Sequence, residues 1–278
     1  MRTRGLIPTT VLVLGAVYCL FPVYWLVAAA TKRSSELFST PSVVPSFTGG
    51  FAENIQGLLQ FAGGAFWGWS LNSVIYAGGG ALGATAIAAM AGFALGKYEF
   101  RGKRIVLGYV LLGVLVPGII LAIPQYLLMS TIGLAGTHWS ILLPVMISPF
   151  SIYLAWIFSM SAIPDEMLES GRLDGAGELR LFRSIGLPML TPGLITVFLL
   201  QFVGIWNNFL LPFIMVTQRD LMPLTVGFYS MMNQGTDQTN VYNFVIMGCL
   251  LAVAPLIALF LFLQRYWNLD LVTGSLKG

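Results

Sequence analysis

Charge is scarce in this chain. Only 9% of its 278 residues are Asp, Glu, Lys or Arg, whereas soluble domains carry about 25%. So few charges cannot clothe a water-facing surface, so most of the exterior must face lipid. A mean hydropathy of +0.83 agrees. There is one histidine, His138, and there are two cysteines, Cys19 and Cys249, with no CxxC pair. The chain thus lacks a metal-spaced His/Cys cluster, and the cysteines read as small buried hydrophobes. No GxxxxGK[ST] segment is present, so the chain is not expected to bind ATP itself. No Ser/His/Asp set or paired intramembrane carboxylate suggests catalysis. The net charge of +3 reflects orientation in a membrane and does not call for nucleic acid.

What is present is length in apolar runs. A bilayer core of about 30 Å needs roughly 20 apolar residues in a helix. Six runs qualify: about 8–31, 70–96, 105–130, 138–160, 191–217 and 241–264. Each must be helical, because lipid offers no partner to open backbone groups. The predicted fold is an all-α membrane protein, a single domain over 1–278 with six transmembrane helices. Arg2 and Arg4 before the first run resemble a signal peptide, but the run is long enough to span. No small-residue cleavage site precedes Lys32, so it reads as a retained helix. None of the six runs holds an Asp, Glu, Lys or Arg. A charge at mid-helix costs about 2.5–3.5 kcal/mol, and proton-coupled carriers tolerate that cost for function. The absence argues against a proton relay and leaves sodium coupling through backbone carbonyls open.

The cations set the orientation. With the N-terminus inside, Arg2, Arg4, Lys97, Arg101, Lys103, Arg104, Arg172, Arg180, Arg183, Arg265 and Lys277 are cytoplasmic, and only Lys32, Arg33 and Arg219 are outside. The positive-inside bias therefore predicts N-in and C-in. The external parts are a long loop (32–69), a short one (131–137) and a polar one (218–240).

Gly79/Gly83 and Gly92/Gly96 form two GxxxG pairs in the second run. They serve either a seam with another subunit or packing within this chain. Pro117, Pro124, Pro144, Pro149, Pro212 and Pro255 interrupt spans and are expected to kink them. His138, Trp67, Trp69 and Trp267 read as interfacial residues.

The charged segment 161–190 stands out. Pro164 can start a short helix through Glu166, Leu168, Glu169 and Arg172, with Ser161 or Asp165 as its cap. Leu173-Asp174-Gly175-Ala176-Gly177 then turns, with glycine supplying backbone freedom. A second short helix places Leu179, Phe182 and Ile185 on one face and stops near Leu187-Pro188.

Glu169, Asp174, Gly175, Ala176, Phe182, Ile185, Leu187, Pro188 and Pro192 fall in register with the EAA loop of binding-protein-dependent ABC importers. Trp206-Asn207-Asn208-Phe209 resembles the W-N-x-F of maltose-type sugar permeases, and Thr273 to Gly278 resembles that group's G-x-x-K-G tail. The chain resembles the smaller partner of the maltose-type pair. Ser170-Gly171 stands where the family has Ala-Ala, and Asn208 where an acid is frequent.

The resemblance implies a type I ABC importer permease fold with a cytoplasmic coupling helix. Asp165, Glu166, Leu168, Glu169, Ser170, Gly171, Arg172, Leu173, Asp174, Gly175 and Ala176 would face an ATPase subunit. Trp206, Asn207 and Asn208 would line a substrate pathway, or Asn207 and Asn208 would bond other helices. The loop Gly227 to Gln238, with Asn233, Gln234, Asp237 and Gln238, would reach the binding protein. Ser275 and Lys277 would touch the ATPase. The implied partners are a second permease in a heterodimer, two ATP-binding subunits that hold ATP and Mg, and an extracytoplasmic solute-binding protein. The implied location is the bacterial cytoplasmic membrane. The implied cargo is a carbohydrate or carbohydrate-like solute, and no cofactor is expected on this chain. A stand-alone secondary carrier or channel is the alternative, and a membrane enzyme a third reading.

Overall fold

The computed structural model describes residues 6–233 and 238–266, and among these there is helix and turn but no strand. Twelve helices of six or more residues organise them. They are α1 (Leu6–Ala30), α2 (Gly50–Gln60), α3 (Ala65–Lys97), α4 (Lys103–Leu115), α5 (Gly118–Thr131), α6 (His138–Met146), α7 (Pro149–Ala162) and α8 (Asp165–Leu173). There follow α9 (Glu178–Trp206), α10 (Leu210–Met215), α11 (Leu224–Met232) and α12 (Gln238–Leu263). Two compact units divide the chain: residues 1–70 with 226–257, and residues 71–225 with 258–278.

Five stretches are long and apolar enough to cross a membrane: Pro8–Ala30, Ala65–Lys97, His138–Ala162, Glu178–Trp206 and Asn240–Tyr266. The run expected at 105–130 is instead two helices bent by 107°. The break is at Val116 and Pro117, whose backbones are extended. Pro117 lacks an N–H and biases the residue before it away from the helix. Pro124, by contrast, sits inside α5 without breaking it.

In the larger unit, small residues set the packing. Ala88, Ala89 and Phe93 of α3 meet Ala155 of α7, and Leu190, Leu194 and Val197 of α9, in a buried cluster. A Cβ on Gly92 would lie 2.6 Å from the Ala155 backbone carbon, and one on Gly96 2.8 Å from the Ser159 side chain. Gly83 similarly faces Met146 at 2.5 Å and Gly79 faces Leu142 at 3.4 Å. The glycine pairs therefore pack within the chain, as small residues let backbones approach in lipid.

In the smaller unit, Lys32 is buried, and its Nζ donates to Thr40 Oγ1 (2.7 Å) and the Pro41 carbonyl (2.6 Å). Neutral oxygens thus solvate a cation that has left water. Asn54 and Asn243 donate to the Lys32 carbonyl at 2.8 and 2.6 Å. The loop expected at 32–69 is thereby folded against its own unit and contains helix α2.

Several expectations change here. Trp69 is 1% exposed, so it is a core residue and not part of an aromatic belt, whereas Trp67 is exposed. Trp69 fills the space over Gly227, where a Cβ would fall 2.2 Å from its ring. The stretch 218–240 is not simply polar: it contains α11, with Leu224, Val226, Phe228 and Met231 buried. Cys19 is exposed on α1, and Cys249 only half-buried. His138 Nε2 contacts Asn72 Oδ1 at 3.2 Å, a tertiary hydrogen bond that the interfacial reading did not include. Trp267 lies outside the described residues.

Candidate functional site

The polar segment after α7 builds a helical hairpin. Helix α8 runs from Asp165 to Leu173, where the charge pattern predicts it. Asp165 and Glu166 occupy its first turn and Arg172 its last, each sign suiting the helix dipole. Neither expected cap operates. Pro164 is the N-cap residue, without a side-chain bond. The Ser161 hydroxyl donates back to the Ile157 carbonyl at 3.1 Å. The orphan N-terminal region is held by another element: Lys97 Nζ donates to the Ile163 carbonyl (2.5 Å) and Asp165 Oδ1 (2.9 Å). That contact holds the Asp165 carboxyl below its ordinary value.

The turn is a Schellman motif. The Ala176 N–H bonds the Gly171 carbonyl and the Gly175 N–H the Arg172 carbonyl, both at 3.0 Å. This closure needs a left-handed residue after the C-cap. Gly175, at φ +79°, supplies it. The Asp-Gly-Ala run is therefore a backbone requirement of the turn. Arg172 then clamps the start of α9, its Nε on Glu178 Oε1 at 2.9 Å and Nη2 on Oε2 at 3.2 Å. The bidentate fork fixes direction as well as distance, and Glu178 is the main cause of the raised Arg172 pKa. Tyr98 packs beneath, its hydroxyl pushed up to about 12 by burial and by hydrogen bonding to Glu178.

One face of α8 is anchored. Leu168 is 2% exposed and joins Ile163 and Leu181 in the buried cluster. Gly171 lies against Leu181, where a Cβ would fall 2.5 Å from Leu181 Cδ2. The opposite face is bare. Leu173 is 89% exposed, Met167 and Leu179 are exposed, and Glu166, Glu169, Ser170 and Asp174 stand around them. Leu179 therefore does not join Phe182 and Ile185 on a packed face; Leu181 does.

The second short helix does not stop at Leu187-Pro188. It continues without interruption into α9, through a π turn at Phe182–Gly186. The wide turn just ahead of Pro188 interrupts the ladder that a proline ring would otherwise clash with. Gly186 lets this turn lie on Phe93, where a Cβ would fall 2.7 Å from the ring. One 29-residue element, about 43 Å long at 1.5 Å per residue, thus connects the hairpin to the far end of α9.

At that far end α9 closes on Trp206 and Asn207, short of the span expected to 217. Trp206 is buried and stacks on Phe202 with centroids 5.6 Å apart. Asn207 Nδ2 donates to its own helix at the Val203 carbonyl (2.8 Å). Asn208 Oδ1 accepts from Leu211 N at 3.3 Å, starting α10, and its carbonyl accepts from Thr225 Oγ1 at 2.9 Å. Of the three residues Asn208 alone lines a cavity of about 390 Å³, with Gly118, Ile119, Ala122, Gln125, Pro144, Val145, Leu210 and Leu211.

Two functional features escaped the sequence reading. Gln201 of α9 donates to the hydroxyls of Ser148 and Ser151 at the break between α6 and α7. Asn72, Ser73 and Tyr76 of α3 hold the stretch 220–224: Asn72 Nδ2 on the Asp220 carbonyl (2.7 Å), Tyr76 on the Leu221 carbonyl (2.8 Å), and Ser73 Oγ accepting from Leu224 N (2.8 Å). A lone glutamine in an apolar run, and serines beside a proline break, were the available signals. Asn233 is exposed and bonds the Tyr229 and Ser230 carbonyls of its own helix. Gln234, Asp237, Ser275 and Lys277 lie outside the described residues, as does the Gln238 side chain. Gly227 is packed in the core and is not free to reach outward.

Residues 84–271 match the family described as binding-protein-dependent transport system inner membrane component. The arabinooligosaccharides transport system permease protein AraQ of Halalkalibacterium halodurans is 30% identical over 215 residues, 77% of this chain and 76% of that protein. The sn-glycerol-3-phosphate transport system permease protein UgpE of Salmonella typhi is 28% identical over 270 residues, 96% of this chain and 95% of its own. Among solved structures, a bacterial ABC transporter involved in the import of the acidic polysaccharide alginate has a chain that superposes with a TM-score of 0.82. That match has 20% identity and covers 96% of this chain and 97% of the other, so it speaks for the fold alone.

Proposed function

The chain belongs to the family of binding-protein-dependent transport system inner membrane components, and we propose that it is one permease of an ATP-driven carbohydrate importer. It is a transport subunit of the bacterial cytoplasmic membrane and not an enzyme. The solute is delivered by an extracytoplasmic binding protein, and ATP and Mg are held by separate subunits. Its relatives include permeases named for arabinooligosaccharides and for sn-glycerol 3-phosphate, which supports a carbohydrate or carbohydrate-like cargo.

The observation that carries the reading is the hairpin of α8. An element anchored on one face by Leu168 and bare on the other at Leu173 and Met167 suits insertion into a partner's groove. The exposed acids Glu166 and Glu169 and the tip at Asp174 surround that apolar point. Closure of two ATPase subunits would move α8 as a rigid body. Lys97 and Leu168 would pass the motion to α3, and the continuous α9 would carry it toward the cavity. We place this surface in the cytoplasm, with both termini inside and six spans, the bent pair α4 and α5 counting as one; the cation distribution supports this. The whole chain acts as one permease domain. A second permease completes a heterodimer, and the exposure of α1 along most of its length fits a helix covered by lipid or that partner. Asn233, Gln234, Asp237 and Gln238 would meet the binding protein, and Ser275 and Lys277 the ATPase.

Uptake of labelled arabinotriose by cells expressing the complete importer tests the proposal. Uptake should stop when either the ATPase or the binding protein is removed, and Leu173→Asp should lower it at least tenfold. Undiminished uptake without the ATPase would establish a stand-alone carrier instead.

A further inference from the structure

The chain that leaves α1 turns back along it. Three hydrogen bonds fix its path: Lys32 Nζ donates to the Pro41 carbonyl (2.6 Å), the Tyr24 hydroxyl to the Val43 carbonyl (2.8 Å), and the Ser46 N–H to Thr31 Oγ1 (2.8 Å). Pro41 and Ser46 are thus held at the end of α1. Val43, between them, is held by a tyrosine six residues before Ala30, the last residue of that helix. At 1.5 Å per residue this is about 9 Å inside an element long and apolar enough to cross a membrane. The Val44 N–H closes the tip of the dip on the Pro41 carbonyl at 3.1 Å.

The composition of the dip suits lipid. No charged residue occurs from Leu37 to Ala52. Phe38, Val43, Val44 and Phe47 are exposed, Phe47 by 94%, and such an apolar cluster marks an interaction surface. Val23, Tyr24, Trp25 and Val27 are exposed on the adjoining turns of α1, so the cluster continues the apolar surface of a span. Hydrocarbon offers no acceptor to an open N–H. Pro41 and Pro45 have no N–H, and those of Val44 and Ser46 are bonded within the chain. Lys32, the cation bonded to the loop, is buried, with its ammonium on Thr40 Oγ1 and the Pro41 carbonyl.

We propose that residues 41–47 dip into the membrane leaflet that surrounds the end of α1, with Val43, Val44 and Phe47 among the lipid chains near their glycerol ends. Lys32 is the latch that holds the dip closed, and Tyr24 sets its depth. Tyrosine suits that level, being enriched where lipid chains meet headgroups. The arrangement needs only that α1 spans a membrane and does not depend on the solute carried.

The test uses the full chain, purified with the subunits that accompany it and reconstituted in phosphatidylcholine vesicles. In a Cys19→Ser, Cys249→Ser background, Val44→Cys, Phe47→Cys and, as the exposed control beside Arg33, Ser35→Cys are each labelled with bimane. Phosphatidylcholine brominated near the glycerol end of its chains should quench the labels at 44 and 47 and spare the one at 35. Aqueous iodide should do the reverse. Adding Val44→Asp should bring the label at 47 within reach of iodide and leave the label at 35 unchanged. Iodide quenching at 44 and 47 as strong as at 35 would show a loop in water. Labels shielded from both quenchers would show a protein partner over the loop. Either result overturns the proposal, as does a label at 47 that Val44→Asp leaves in lipid.

Discussion

Lys97 and Asp165 are joined across two helices by a 2.9 Å ion pair in which the lysine side chain is 5% exposed and the aspartate 75%. The buried partner matters more. Its ammonium also caps the Ile163 carbonyl at 2.5 Å, so losing it leaves a buried acceptor unmet. Lys97→Met is expected to loosen α8 and to cut coupled transport several-fold. Asp165→Asn should do much less, since that carboxylate stands in solvent. Limited proteolysis between 163 and 176, run beside uptake, reads both effects.

The same pair sets a pH window. Asp165 is held below its ordinary 3.8, first by the hydrogen bond from Lys97 and then by its charge. A carboxyl with a lowered folded pKa adds stability above its unfolded value and loses it as pH falls through the folded one. The tether should therefore be constant from pH 5 to 8 and weaken only below about 3.8. Hydrogen exchange of the α8 amides across that range checks this; an inflection near neutrality would contradict it.

Two tight glycines should respond differently to the same methyl group. At Gly92 an added Cβ meets Ala155 and Trp156 backbone at 2.6 Å, which cannot yield without separating α3 from α7. At Gly171 it meets the tip of Leu181, and the gain in helix propensity of about 1 kcal/mol opposes the crowding. Gly92→Ala should cost about 1–3 kcal/mol or more and reduce folded yield. Gly171→Ala should be tolerated, and Gly171→Leu should not. Thermal unfolding of the detergent-solubilised complex separates the three.

Gly175 closes the hairpin at φ +79°, a conformation that costs a residue with a Cβ about 1–2 kcal/mol. Gly175→Ala should weaken coupling while leaving the spans folded. Gly175→Asn, which tolerates the left-handed region better, should recover part of the loss. The ratio of solute moved to ATP hydrolysed is the measurement.

Gln201 holds the Ser148 and Ser151 hydroxyls where α6 gives way to α7. Interhelical hydrogen bonds in membranes average about 0.6 kcal/mol, so Gln201→Leu should lower the unfolding temperature slightly. Its larger effect should be on the transport rate, because α9 would no longer grip the break.

Much of this was legible from residue types and spacing. The apolar runs located the main spans, and Pro164 with the charges of 165–172 located α8, though not its cap. Asp174-Gly175-Ala176 announced its own turn, because only glycine satisfies that backbone at no cost. What was not legible depended on partners distant in sequence. Pro188 reads locally as a helix stop, and only the π turn ahead of it lets α9 run on. Trp69 reads as an interfacial residue until Gly227, far along the chain, offers it a space. Leu179 and Leu181 look equivalent in sequence, and Gly171 decides that Leu181 is the packed one. The cleft beside Asn208 needed the break at Pro117 and the end of α9 to coincide, and no local stretch of residues signals that.

The most direct test is purification of the tagged chain from native membranes in mild detergent, with co-purifying subunits identified. The expected result is one copy of this chain with a second permease of the same family and two nucleotide-binding subunits, their contact with it lost in Leu173→Asp. Recovery of the chain alone, or only with copies of itself, in detergent that keeps other ABC complexes intact would contradict the assignment of an importer subunit.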